Sequence, residues 1–389
     1  MIFVGIDIAK MKHQVAIIDI DGKVLKDNLI ISNKRKDFEY LHSILDDLVK
    51  VEGDSCEIAL ERTGHYSDAI FNYLKHEKNY HVKAYNPLII KEFSKSQSLR
   101  KTKTDKTDAL LIAKKLRSDS NVEKNQYNFD DSYYSRLKSM TRHRSTLTQE
   151  LSKSKTRYTK LLDQVFPELS VQGQLRYSNY VMDLLELFPT THKITSLTVE
   201  DLYRAIDSNK RAYSLRLIHQ LAKQSIGEQT GIYSFELKNT IKSIRFYTQL
   251  IKETDKEIKE LMDERPSPIL TIPGISYRLA SVILAEYGDV RKFNNPGQML
   301  AFAGLEPSIN QSGDFNAKGK MVKRGSTHLR WALGQAAENV VRYSHTFKLY
   351  YLKKRNEGKH YNVVISHCAK KLIRVIFSLL NNNLSFIDG

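Results

Sequence analysis

Residues 99–116 read LRKTKTDKTDALLIAKKL, with Asp105 and Asp108 three positions apart at the head of a helix-like stretch. Three residues make roughly one helical turn, so both carboxylates share a face. Arg100, Lys101, Lys103 and Lys106 crowd the entrance. A plain reading is a helix start whose acids complement the positive end of the dipole. A chemical reading is half of a metal site, with the cations holding a phosphate backbone over it. Two more acids invite the second reading. Asp7 lies among apolar neighbours in VGIDIAK, where a charge needs a reason. Glu61 closes the apolar run of IALERTG. Each acid alone has an ordinary role: Asp7 or Asp105 as a cap, Glu61 as a partner for Arg62 or a lysine. As a set, D…E…DxxD, four converging carboxylates would repel one another until divalent cations relieved the repulsion. Mg²⁺ suits such oxygen donors, with Mn²⁺ as a substitute. A pair of ions about 3.5–4 Å apart holds the attacking and leaving oxygens of an in-line displacement.

The elements around these acids follow from apolar periodicity. IFVGIDI, HQVAIIDI and KVLKDNLIIS alternate like strands, and Asp21-Gly22 marks a turn between the last two. A helix is expected from about Lys36 to Val51, with Phe38, Leu41, Leu45 and Leu48 at helical spacing. A strand at 56–61, a helix from Ser67 to His76, a strand at 81–86 and the helix carrying Asp105 complete a βββ-α-β-α-β-α order. That is the order of a ribonuclease H-like fold, whose central first strand and neighbouring fourth strand would carry Asp7 and Glu61 to one cleft.

The middle of the chain changes rhythm. Leu137, Met140, Arg144, Leu147, Leu151, Ser154, Tyr158, Leu161 and Val165 recur in 3-4 alternation. Leu237, Ile241, Ile244, Thr248, Ile251, Asp255, Ile258 and Met262 repeat it. Both runs exceed three heptads, so a coiled-coil arm is expected, capped by the polar helical stretch 166–235, in preference to a compact bundle. ERPSP at 264–268 breaks the helix. The expected domains are 1–128, an α/β catalytic domain; 129–264, the arm; and 265–389, a mainly α domain.

The C-terminal part carries two further features. Helices are expected on both sides of Ile272-Pro273-Gly274-Ile275, as in a helix-hairpin-helix element whose Gly274 would admit a phosphate. Segment 299–333 is basic and loop-rich before it turns helical. Gly313 to Gly319-Lys320 does not have Walker spacing, and Met321 follows the lysine.

Composition narrows the partners. With 61 Lys+Arg against 44 Asp+Glu in 389 residues, the formal charge is +17, which favours polyanions through counterion release. Cys56 and Cys368 are far apart and form no CxxC, so neither a disulfide framework nor a thiolate zinc site is expected. The chain shows no leader pattern and no long apolar run, which points to a cytoplasmic, nucleoid-associated protein with no membrane partner.

Asp7, Glu61, Asp105 and Asp108, in this order, resemble the DEDD motif of the "one-ten" family of insertion-sequence transposases, also described as bridge-RNA-guided recombinases. IPGI, FAGLEPSINQSGDF and KGKMVKRGSTHLRWAL resemble that family's transposase domain, so the likeness reaches both ends of the chain. It implies a RuvC-like N-terminal domain and a C-terminal serine that attacks DNA. Carried over, that serine is Ser312, with Ser308 and Ser326 nearby; Ser326 better fits the N-cap of the helix that begins near His328. The resemblance further implies a transient 5′-phosphoserine link and a structured guide RNA pairing with donor and target DNA. It also implies a homo-oligomer, dimer or tetramer, in which the acids of one protomer meet the serine of another, with the arms as the dimerisation device. Serine needs activation by a base or a metal, which the acidic set could supply. Arg100, Lys101, Lys103, Gly274, Lys320, Lys323, Arg324 and Arg330 are candidate nucleic-acid contacts. Tyr127, Tyr133, Tyr134 and Tyr158 could stack on bases or simply pack. Two other functions compete: a RuvC-like junction endonuclease that uses water and forms no covalent link, and a catalytically dead nucleic-acid scaffold.

Overall fold

The computed structural model describes residues 1–52, 55–61, 66–78, 80–97, 104–120, 132–206, 212–307, 311–312, 315–316 and 321–389. It divides into two compact units, 1–127 and 128–389. The expected division at 264/265 therefore falls inside the second unit.

The first unit is built on a sheet of β1 (Ile2–Asp7), β2 (Lys12–Ile18), β3 (Val24–Ser32), β4 (Cys56–Glu61) and β5 (His81–Tyr85). The strand order is β3-β2-β1-β4-β5, with β1, β2 and β3 antiparallel in turn, and β1, β4 and β5 parallel. This mixed topology is consistent with a ribonuclease H-like domain, and β1 is central. Gly22 turns the β2–β3 hairpin with φ +88°, as Asp21-Gly22 predicts. Alternation along the strands divides the core in two. Ile2, Val4, Ile6, Ile58 and Leu60 pack against Phe38, Leu41 and Leu45 of α1 (Arg35–Glu52) and against Ile70 of α2 (Tyr66–Asn72). A π-helical turn, Tyr73–Glu77, extends α2. On the other face Phe3, Ile18 and Ala59 meet Ile90 of α3 (Pro87–Gln97) and Ile112, Ala113 and Leu116 of α4 (Asp105–Ser120). Helix α3 is absent from the expected element order. Pro87 at its first position needs no helical N–H partner and marks its start.

In the second unit, α5 (Ser132–Val165) and α11 (Ser234–Asp263) pack lengthwise on each other within one chain. They run antiparallel: Leu137 shares a core with Met262, Arg144 pairs with Asp255, and Tyr158 shares a core with Leu237 and Ile241. Every position of the 3-4 rhythm is buried or half-buried. The cap consists of α6 (Pro167–Ser170), α7 (Asn179–Leu187), α8 (Thr191–Thr195), α9 (Val199–Ala205) and α10 (Ala212–Lys223), which close a core around the far end of the pair. The near end shares a second core with α12 (Tyr277–Tyr287), α13 (Pro296–Phe302), α14 (Thr327–Tyr343), α15 (His345–Asn356) and α16 (Tyr361–Asn382). Among the described residues, no helix is long and apolar enough to cross a membrane.

One expectation needs correcting here, and one open choice is decided. The segment before IPGI is a single 3-10 turn, Pro268–Thr271, not a helix, because the prolines at 266 and 268 interrupt the backbone ladder. Tyr133 and Tyr158 are core residues, and the Tyr158 hydroxyl donates to the Arg176 carbonyl. Neither offers a free stacking face.

Candidate active site

Asp7 and Glu61 end two neighbouring parallel strands. Ile6 faces Leu60 in the ladder, so the next residues, Asp7 and Glu61, emerge together at one end of the sheet. By alternation they take the face of Gly5, Phe3 and Ala59, which is the α4 side.

Helix α4 runs antiparallel to β1. Leu116 and Ala113 lie beside Phe3, while the Ala109 carbonyl and the Ala113 amide lie beside Gly5. A Cβ at Gly5 would stand 2.1 Å from the Ala109 oxygen, so only glycine lets the helix approach this closely. From Gly5 to Asp7 the strand advances about 6.6 Å, and from Ala109 back to Asp105 the helix retreats about 6 Å. Asp105, Asp108, Ala109, Ile112 and Leu116 fall on one helical stripe, which faces the sheet. The two halves of D…E…DxxD thus reach the same end of the same face. Asp7, Glu61 and Asp108 are half-buried and Asp105 is exposed.

The ordinary role weighed for Asp105 is taken by its neighbour. Thr104 and Thr107 cap α4 reciprocally, each hydroxyl accepting from the other's backbone N–H at 3.0–3.2 Å. Lys106 turns away to Asp27 of β3, at 2.8 Å. Arg100, Lys101 and Lys103 lie outside the described residues.

All four acids offer the hard oxygens a divalent cation takes. Among the described residues, no three His, Cys, Asp or Glu side chains approach closely enough to hold a metal. The acids share an end and a face without forming a closed ligand cage, so donor chemistry fits a divalent ion while coordination requires the side chains to move inward.

The serine region is held differently. Gly304, at φ +66°, accepts from the Lys323 N–H at 2.9 Å, the Val322 N–H donates to Glu306, and Pro307 bridges Met321. A Cβ at Gly304 would stand 1.9 Å from the Arg324 carbonyl oxygen, so this clip also depends on a bare backbone. Beyond it, β6 (Gln311–Ser312) and β7 (Phe315–Asn316) pair antiparallel, with Ser312 opposite Phe315. Ser308, Gly313 and Lys320 lie outside the described residues.

Among the candidate basic contacts of this region, Lys323 and Arg324 are exposed, and Lys323 has a left-handed φ of +54°. Arg330 donates through Nη1 to the carbonyls of Arg324 and Gly325, both at 3.0 Å, so it braces the clip. Ser326 caps α14, accepting from the Leu329 N–H, as its position predicts. Gly274 packs on α14 at φ +90°, and its carbonyl accepts from the Asn339 amide. That contact accounts for the glycine without a ligand.

Sequence reasoning passed over Glu286. It is 3 % exposed on α12, and both its oxygens accept from Arg142 of α5, with Lys138 alongside at 3.4 Å. Burial pushes its carboxyl up, but Arg142, Lys138 and the Ser326 hydroxyl more than offset this and leave it below the usual carboxylate range. Glu286 thus ties the arm base to the helix that follows the serine region. Its only sequence signal is an acid in the apolar run SVILAEYG.

Two family models match the chain: the DEDD domain of IS110 transposases over residues 4–167, and a domain described as transposase of the IS116/IS110/IS902 family over residues 267–352. The chain belongs to the IS116/IS110/IS902 family of transposases. It is 22 % identical to the 44.8 kDa protein of insertion element IS116 from Streptomyces clavuligerus, over 99 % of this chain and 96 % of that one. It is 28 % identical to the transposase of insertion sequence IS1111A from Coxiella burnetii, over 40 % of this chain and 42 % of the relative. The pilin gene-inverting protein of Moraxella bovis is 26 % identical over 43 % of this chain and 54 % of its own length. Transposases cut and rejoin DNA, and a DEDD nuclease-like domain suggests dependence on a divalent metal.

Proposed function

We propose that this transposase cuts and rejoins donor and target DNA of a mobile insertion sequence through Ser312, assisted by Mg²⁺ at Asp7, Glu61, Asp105 and Asp108. The observation that carries the acidic half is the in-register ending of β1 and β4 beneath the N-terminus of α4, at Gly5. Support for the serine half is the family match over 267–352, which contains Ser312.

Ser312 Oγ forms a bond to the phosphorus of the scissile diester while the bond from phosphorus to the 3′ oxygen breaks. The serine proton leaves to water, and the departing oxygen takes one up as a 3′-hydroxyl. The 5′-phosphoserine diester retains the bond energy needed for rejoining, with no external energy source. A bound divalent cation neutralises phosphate charge and makes the serine hydroxyl more acidic. Lys323 and Arg324 hold the backbone at the clip, while Arg330 keeps the clip in shape. Acids and serine come from different protomers of a homo-oligomer, and a structured guide RNA selects the sites.

The test is a denaturing gel after incubation of the chain, its RNA, insertion-sequence DNA and Mg²⁺. A covalent protein–DNA species is expected, absent in Ser312→Ala and in Asp7→Asn. Persistence of the species in Ser312→Ala would reject that nucleophile. Cleavage with no attached species, unaffected by Ser312→Ala, would instead establish a junction endonuclease that uses water.

A further inference from the structure

A cavity of about 450 Å³ opens inside the second unit, between α5 and the first turns of α12 and α14. Its walls bring together Arg142, Arg144, Arg278, His328 and Trp331. Two of these cations are fixed from behind, Arg142 by Glu286 and Arg144 by Asp255. Arg278 is different. Its guanidinium lies 5.1 Å from the centre of the Trp331 ring, and it makes no hydrogen bond or ion pair among the described residues. Trp331 is 43 % exposed, an unusual position for the chain's single tryptophan. A shallow groove leads away from the cavity along α5, from Gln149 past Lys153 and Arg157 to Lys160. From Arg142 to Lys160 the helix spans about 27 Å at 1.5 Å per residue.

We propose that this cavity binds one unstacked nucleotide of a single strand, its base on the face of Trp331 and its neighbouring phosphates along the α5 groove. An aromatic face accepts any base, which suits a protein that must handle many sequences. In the unbound chain Arg278 occupies the place of that base. Swinging it aside breaks the cation–π contact and no hydrogen bond, with Asp255 attracting it only at longer range and Arg144 opposing that pull. It then becomes a phosphate ligand at the pocket rim. Arg142 and Arg144 are already held in position, so little ordering is left for binding. The site draws on the family's action on nucleic acid and does not depend on Ser312 being the nucleophile.

Because the chain is strongly basic, affinity for an oligonucleotide alone proves nothing. The discriminating pair is short oligothymidylate against an abasic strand of the same length and charge. Titrated into the full chain, oligothymidylate is expected to quench Trp331 emission and to bind about tenfold more tightly than the abasic strand, as base stacking predicts. Trp331→Leu should erase that ratio while leaving abasic binding unchanged, with anisotropy of a labelled strand as the readout. Trp331→Phe should keep most of the ratio, and circular dichroism of both variants shows that the fold is intact. Tighter binding of either oligothymidylate or oligouridylate supports the pocket and assigns its strand to DNA or RNA. Equal binding of base-bearing and abasic strands, or unmoved Trp331 emission, overturns the proposal. Neither result alters covalent adduct formation by Ser312, so this inference and the serine mechanism fail separately.

Discussion

At the acidic end of the first unit, position comes from regular structure. Two strands end in register, one helix lies against them at a glycine, and the acids follow as the next residues. In the serine region of the second unit, position comes from a clip of backbone hydrogen bonds, braced by Arg330, that holds a two-strand hairpin. The first arrangement places groups through packing of a whole layer, so displacing the backbone of an acid means moving a strand or a helix. The second places its residues through a few local backbone contacts.

Four substitutions probe this contrast, from the largest expected effect to the smallest. Asp7→Asn should abolish cleavage by several orders of magnitude while the thermal melt stays within a few degrees, because the residue ends its strand half-exposed. Unfolding without loss of cleavage in the folded fraction would make Asp7 structural. Gly5→Val should cost about 3 kcal/mol through overpacking against Ala109. It should lower the stability of the first unit, while the melt followed by Trp331 fluorescence, which reports the second unit, remains in place. If both melts move together, the layers are not independent.

Glu286→Gln should destabilise the second unit by about 2 kcal/mol, discounted because Arg142 and Lys138 are partly exposed. The Glu286 carboxyl is held below its ordinary value, so the pair contributes stability above the unfolded pKa, about 4.3. That contribution is lost as pH falls through the lower folded value. Acid melts of native chain and Glu286→Gln should therefore begin to approach each other as pH falls below about 4.3 and meet only below the lower folded value; a gap that does not narrow with acid would place the stabilisation in packing. Ser326→Ala should cost about 1 kcal/mol through the lost cap of α14, read by chemical denaturation. A larger loss would show that the hydroxyl's bond to Glu286 outweighs the cap.

Much of the first unit was legible because each element shows a plain period. Alternation in 1–31 marks three strands, CEIALE matches β4, and the 3.6-residue rhythm from Phe38 marks α1. Helix α3 escaped because LIIKEF combines an apolar run with no strong stripe, and only Pro87 marks its start. The antiparallel arm was visible as two matched seams, but its return onto the same chain was not, since heptads look alike whether the partner is another molecule or the next helix. In the candidate site, the arrival of D…E…DxxD at one end of one face was readable from type and spacing. Glu286, Arg278 and Trp331 were not, because their significance lies in neighbours more than thirty residues away in the chain. Gly274 shows the converse: a residue type suited to a phosphate also makes a close helix contact that the sequence did not announce.

The two long helices of the second unit have one more consequence. One rail departs from the basal core and the other comes back to it, with the cap closing the far rungs as on a ladder. Trimming seven residues from one rail alone would leave the rungs mismatched, whereas trimming seven from each would lower the top by about 10 Å and keep both ends intact. Reach in this protein is therefore a property that can be dialled in whole heptads, separately from whatever either end does.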